Sequence, residues 1–221
     1  MTATSEEPRR RAAPLAPDER RAAIVDAVLP LVRERGHDVT TRELAAAAGV
    51  AEGTLFRVFA DKHELIGEVA FEGLRRASRP AATRDSLAAV DRTLPLVPRV
   101  TLLIELGRSW VDEAMRWMLV LRGLMAGAPP PASADHDQIA ERHAMLRQER
   151  EAHTAVLVEG MRAALEPDAH RLRVPLDVAV AMVGSAVVGH HGRDRLLPTL
   201  PAEVVADAIV HGLVTHQSKE H

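Results

Sequence analysis

A chain of 221 residues, 47% of them hydrophobic and 27% charged, is long and apolar enough to bury a substantial core and is not a disordered polymer. It has no cysteine, which excludes disulfide staples and thiolate catalysis and fits a reducing cytoplasm. Its net charge of −3 offers nucleic acid no general attraction, so a nucleic-acid binder of this composition must concentrate positive charge locally.

Residues 1–17, with Pro8, Arg9, Arg10, Arg11, Pro14 and Pro17 and little apolar content, read as a flexible basic arm. Such an arm is either simply solvated or tracks phosphates and enters a minor groove. It contains no apolar segment of the kind that directs secretion, and no later apolar run reaches the length of a membrane span. The expectation is therefore a soluble, cytoplasmic protein. Asp18 to Arg35 is the first predicted helix, with Ile24, Val25, Val28, Leu31 and Val32 as its apolar stripe and Gly36 at its end. Pro30 inside it removes a hydrogen bond and crowds the preceding turn, so a kink is expected there.

Thr40 followed three residues later by Glu43 is a capping box, and Leu44, Ala45 and Ala48 supply the buried side of a second helix. Gly49 stands where that helix must stop, and Val50 fills the angle with the next one. A third helix is expected to begin at Ala51 or Glu52 and to run through Leu55 and Phe59, which share one face at i and i+4. Helix, glycine turn, helix is the helix-turn-helix pattern, and its second helix has the size that enters a major groove. Near the start of that helix Thr54, Arg57 and Glu52 carry the groups that read base edges: a hydroxyl and methyl, a guanidinium, and a carboxylate. The same pattern also occurs as plain scaffolding in helical domains that bind nothing.

Asp61 and Glu64 form a second capping box for a fourth helix, with Leu65, Ile66, Val69, Ala70, Gly73 and Leu74 inward and an end near Arg76. Ser78 to Thr83, containing Pro80, reads as a junction. Beyond it the periodicity predicts helices over Asp85–Thr93, Arg99–Met125, Ala134–Leu165, Leu176–His191 and Pro201–His216, with the proline-rich stretch 126–133 as a loop. No strand pattern appears. Trp110 and Trp117 lie seven apart, on one face with Ala114, Leu121 and Leu124, which by itself reads as core. The last two helices are apolar on a broad face rich in small residues, so each must be covered on more than one side. They are either both internal or paired with a second copy about a two-fold axis. His190 and His191 point apart on a helix, and with His211 and His216 they make no chelating pair at i and i+4. No motif of a hydrolase, metalloprotease or phosphate-binding loop is present, so no enzyme activity, cofactor or metal is expected.

The string AAAAGVAEGTLFRVFADKHELI resembles the DNA-binding signature of the TetR family of transcriptional regulators, through Ala48, Gly49, Val50, Gly53, Thr54, Leu55, Phe59, Asp61, Lys62 and Leu65. The resemblance implies an all-α protein with a three-helix helix-turn-helix DNA-binding domain at residues 18–76 and a helical effector-binding and dimerisation domain at 77–221. It adds Arg42, Phe56 and Lys62 to the base-edge candidates as backbone neighbours, and Thr40, Thr41 and Gly53 complete the expected DNA-binding set. Lys62 is one of only two lysines in the chain. Three positions depart from the family pattern: Ala51 replaces a capping Ser, Phe56 replaces a Tyr whose hydroxyl holds a phosphate, and Val58 replaces a His. By the same resemblance Trp110, Ala114, Trp117, Leu121, Met145 and Met161 are candidates to line an effector pocket. It also favours a homodimer through Val178, Met182, Ser185, Ala186, Gly189, Val205, Ala208, Ile209 and Gly212. The expected function is a regulator, more often a repressor, that binds a pseudopalindromic operator and is released by a small, mostly apolar effector. The competing readings are a small-molecule-binding or enzymatic helical protein with a structural helix-turn-helix, and an effector-free architectural DNA binder.

Overall fold

The computed structural model describes residues 16–127, 136–189 and 199–213, and every regular element among them is helical. The chain divides within a helix, between Val69 and Ala70, into two compact units.

The first unit opens with α1 (Pro17–Arg35), where Pro17 takes the first helical position and its missing N–H costs nothing. Ile24, Val25, Val28 and Val32 form its buried stripe, and the helix continues past Pro30 to Arg35. α2 (Thr41–Ala48) is capped as its sequence predicts. Thr40 Oγ1 accepts the Glu43 N–H at 3.3 Å, and the Glu43 carboxylate accepts the Thr40 N–H at 2.8 Å. Gly49, at φ 66° and ψ 27°, ends α2 in the left-handed conformation that a Cβ disfavours. The Val50 N–H then reaches back to the Ala45 carbonyl at 3.0 Å, which satisfies an end-of-helix acceptor and sets the angle of the turn.

α3 (Glu52–Leu55) is a single turn, shorter than the helix expected through Phe59. Ala51 has no side chain to cap it, and beyond Leu55 the ladder tightens: Arg57 and Val58 bond to carbonyls three residues back, at 3.2 and 3.1 Å. Leu55 and Phe59 are nevertheless both buried, so the face predicted to point inward does so. α4 (Lys62–Ala77) starts where Asp61 Oδ1 accepts the Glu64 N–H at 2.7 Å. Glu64 reaches one residue past the cap to the Ala60 N–H at 2.6 Å.

In the second unit, α5 (Pro80–Ala88) begins five residues before the helix expected at Asp85 and ends before Thr93. The junction shrinks accordingly, because Pro80 is the first residue of this helix rather than a breaker, and the Thr83 hydroxyl donates to the Arg79 carbonyl at 3.0 Å. α6 (Leu96–Gly127) likewise starts earlier than Arg99, with Pro98 in its first turn, where no N–H is required. α7 (His136–Leu165) is followed by a short 3-10 segment, Glu166–Arg171, that begins around Pro167. α8 (Leu176–Val188) and α9 (Ala202–Leu213) complete the described chain. α6 packs against α8 and α9, and α7 against α5. Leu103 and Ile104 from α6, Val183 and Val187 from α8 and Ala206 from α9 lie in one continuous apolar core with Leu165. One buried ion pair crosses this unit: Arg99, 2% exposed, pairs with Asp168 and donates to the Ala164 carbonyl at 2.9 Å.

Candidate nucleic-acid interface

The sequence of α3 sorts its side chains by the face they must occupy. Leu55 and Phe59 point into the first unit, which leaves Glu52, Gly53, Phe56 and Arg57 exposed and Thr54 half-buried at the margin. Phe56 is 40% exposed, a large aromatic surface left in water at the end of a short helix. Gly53 is unusual in another way. Its backbone is not in the left-handed region, and a Cβ added there would meet nothing within 4 Å, so neither strain nor internal packing calls for glycine. Its small size suits the close approach of something outside the chain.

The charges around this face divide into committed and uncommitted groups. Arg35 is paired with Glu43, and Arg21 with Glu64 and Glu68. Arg42 and Arg57 are exposed and Lys62 is half-buried, and none of the three forms an ion pair or hydrogen bond through its side chain among the described residues. Glu52 accepts a long bond, 3.4 Å, from the Thr41 hydroxyl, which ties the start of α3 to the start of α2. Thr40 is exposed and its hydroxyl is engaged in the cap. The bonds donated by Thr40, and then the neighbouring Arg35, hold the Glu43 carboxyl down to about 2. That carboxylate therefore stays ionised and keeps the cap closed. The arginines of the arm lie outside the described residues.

Arg21 is the residue beside this face that the sequence did not single out. It donates to both oxygens of Glu68 through Nε, at 2.9 and 2.8 Å, and to the Val58 carbonyl through Nη1 at 2.8 Å. Its guanidinium also sits over the Phe59 ring, 4.3 Å from the centroid. The sequence signal was faint: a charged residue three before Ile24, on the edge of an apolar stripe, with two glutamates four apart in a later helix.

The pocket candidates differ in burial. Trp110 is half-buried against the second unit's core, which includes Met161. It meets His153 edge-on at 5.9 Å between ring centroids. His153 is itself buried, with Nδ1 3.1 Å from the Thr83 hydroxyl, and burial pushes its pKa down. Trp117 is 1% exposed with its N–H satisfied by Glu113 at 2.9 Å, Ala114 and Leu121 are half-buried, and Met145 is exposed. The shallow cleft of about 530 Å³ along α7, lined by Arg147, Arg150, Glu151, Thr154 and Ala155, includes none of the six.

The interface candidates split by face. Ala186, Val205 and Ile209 are partly buried against the core of their own unit. Val178, Met182, Ser185, Gly189, Ala208 and Gly212 are exposed. α8 and α9 thus each bury one apolar face and leave another open, with Val204 also outward at 51% exposure. His190, His191 and His216 lie outside the described residues. Among the described residues no group of three or more His, Asp and Glu is arranged to hold a metal, and no helix is long and apolar enough to cross a membrane.

Residues 24–69, which run from α1 through α2 and α3 into α4, match the family described as bacterial regulatory proteins, tetR family. No curated protein matches the chain. Among solved structures, the superantigen PfiT is similar over 93% of this chain and 100% of its own, at 18% identity and a TM-score of 0.51, a likeness of fold. NalD of Pseudomonas aeruginosa, the secondary repressor of the MexAB-OprM multidrug efflux pump, is 21% identical over 89% of this chain and 96% of its own, with a TM-score of 0.46. PfmR of Thermus thermophilus, a TetR-family transcriptional regulator, is 22% identical over 85% and 97%, with a TM-score of 0.44.

Proposed function

We propose, from the match of residues 24–69 to the tetR family of bacterial regulatory proteins, that the chain is a cytoplasmic, operator-binding repressor that acts as a homodimer and is released by a small, mostly apolar effector. The observation that carries this reading is the outward face of α3. Glu52, Gly53, Phe56 and Arg57 are exposed on it, with Arg42 and Lys62 as cations that have no side-chain partner among the described residues. Thr54, Arg57 and Glu52 are assigned to base edges, and Thr40, Thr41, Arg42, Gly53, Phe56 and Lys62 to the sugar-phosphate backbone. Phe56 lacks a hydroxyl and Val58 an imidazole, so phosphate binding falls to the cations.

A dimer formed through the open faces of α8 and α9 presents two such readers, whose half-sites on a pseudopalindrome lie about 34–36 Å apart. Pairing these faces covers Val178, Met182 and Val204, which are otherwise left in water. The effector is assigned to the helical second unit, around Trp110 and Met161, where apolar surface is plentiful and the Thr83–His153 pair supplies a polar element. Release requires that the effector bind the DNA-incompetent state more tightly. A full reversal from 1:99 to 99:1 needs about a 10⁴-fold preference.

Footprinting of the purified protein on the DNA upstream of its own gene tests the proposal. Protection of a two-fold-symmetric site is expected. Weak, sequence-indifferent protection that vanishes with salt points instead to an architectural binder, and no protection at low salt leaves the helix-turn-helix as scaffold.

A further inference from the structure

α3 is too short to hold its own orientation. It spans one turn, has no side-chain N-cap, and is followed by two bonds of the tighter i→i−3 kind, from Arg57 and Val58, and one last helical bond from Phe59 to the Leu55 carbonyl before α4 begins. Something else must fix the pose of the reading segment, and the contacts of Arg21 show what does. Had the helix continued, the Val58 carbonyl would have accepted the N–H of Lys62, four residues on. It accepts Arg21 Nη1 instead, at 2.8 Å. The same guanidinium covers the Phe59 ring and is anchored on α4 by Glu68 and Glu64. One planar group from α1 thus joins the end of the reading segment to α4, with its donors spread over three acceptor residues.

We infer that Arg21 is a positioning residue for DNA reading: it holds Glu52–Phe59 in the pose in which side chains meet base edges, so that sequence discrimination depends on it while attraction to phosphates does not. The inference rests on the proposal that α3 reads bases. Only a guanidinium fits the role. Lysine keeps the charge and can pair with one glutamate, but its single nitrogen cannot also reach Val58 in the fixed fork geometry or lie flat on Phe59.

The test compares the full-length wild type with Arg21→Lys on two duplexes: one selected by the wild type from a random-sequence pool, and a shuffled duplex of equal composition. Arg21→Lys should lower the selected-to-shuffled affinity ratio tenfold or more and leave affinity for the shuffled duplex and its salt slope unchanged. Amide hydrogen exchange supplies a readout without DNA. Exchange at residues 56–59 should quicken at least tenfold in the variant, and exchange across Leu44–Ala48 should not change. An unchanged ratio overturns the inference, as does a parallel loss on both duplexes that tracks the unfolded fraction. If Arg21→Lys does not fold, Glu68→Gln carries the test, with a smaller fall in the ratio expected. A wild type that enriches no sequence defeats the base-reading proposal, and the exchange measurement then decides on its own whether Arg21 holds the segment.

Discussion

Gly73 of α4 lies flat against the indole of Trp117 on α6: a Cβ at Gly73 would stand 2.2 Å from Trp117 Cε2 and 2.3 Å from Cδ2. The indole cannot retreat, because it is 1% exposed and tethered by its N–H to Glu113. Alanine in place of a helical glycine ordinarily adds up to about 1 kcal/mol of stability. Here the overlap should outweigh that gain, since overpacking a closed site costs about 1–3 kcal/mol. Gly73→Ala is therefore expected to lower the denaturation midpoint and, in a Trp110→Phe background, to shift the emission of Trp117. A variant as stable as its parent, with unaltered emission, would show that the two residues are not in contact.

Gly53 gives the opposite sign. With open space around its would-be Cβ and an ordinary backbone, Gly53→Ala should stabilise the fold by about 0.5–1 kcal/mol. On the proposed reading it should weaken DNA binding at the same time, because the added methyl group would stand where the sugar-phosphate strand is assigned. Thermal melts and gel-shift titrations on the same preparation separate the two effects, and improved binding would rule out close approach at this position.

Lys62 begins α4 with no partner among the described residues. If it neutralises one phosphate per subunit, Lys62→Ala should reduce the slope of log K against log salt by about 0.9 for each contact. The loss should be the same on selected and shuffled DNA. A slope equal to that of the wild type would remove Lys62 from the interface.

The Glu43 cap sets an acid limit. Its carboxyl is lowered from the ordinary value of 4.5 to about 2 by the bonds from Thr40 and then Arg35. A group depressed in the folded state contributes stability that is full above its unfolded value and is lost as pH falls through the folded one. Between pH 5 and 2.5 the melting temperature of the wild type should therefore fall, and that of Glu43→Gln should fall less. Hydrogen bonds from arginine to Glu72 and from Thr93 to Asp91 lower those carboxyls too, so the variant should keep part of the slope. Identical slopes would mean that the cap opens before Glu43 protonates.

Arg99 and Asp168 stand or fall together. Asp168→Ala would leave a guanidinium that is 2% exposed with the Ala164 carbonyl as its remaining hydrogen-bond acceptor among the described residues, where its Nε already has none. Breaking such a pair from one side costs about 3–5 kcal/mol, whereas replacing both members by apolar residues is often neutral. Chemical denaturation should show Asp168→Ala far less stable than the double variant Arg99→Met, Asp168→Leu. Equal loss in both would mean that the ion pair itself stabilises the unit.

What the sequence discloses here follows the range over which each signal acts. The capping box at Thr40, the Asp61 cap and the turn at Gly49 are fixed by residues three or four apart, and the structure has them where the spacing puts them, except that Glu64 accepts the Ala60 N–H in place of that of Asp61. Pro80 and Pro98 were misleading because proline ends a helix and begins one with equal readiness, and only the hydrogen bonding around Arg79 and Pro95 decides which. The contact that holds the end of the α3 segment was invisible because its donor, Arg21, lies 37 residues from Val58. On the candidate site, the exposed set Glu52, Gly53, Phe56 and Arg57 follows from the inward spacing of Leu55 and Phe59. The Thr83–His153–Trp110 contact joins three helices, and no period along one helix could announce it.

The dependence of α3 on its neighbours has an evolutionary consequence. A single-turn helix held by Leu55, Phe59 and the Arg21 guanidinium takes almost none of its shape from Glu52, Gly53, Phe56 or Arg57. Those four positions can be exchanged with little effect on folding, so on the proposed reading a duplicated copy of the gene could acquire a new target sequence through a few substitutions while its scaffold stayed as it is.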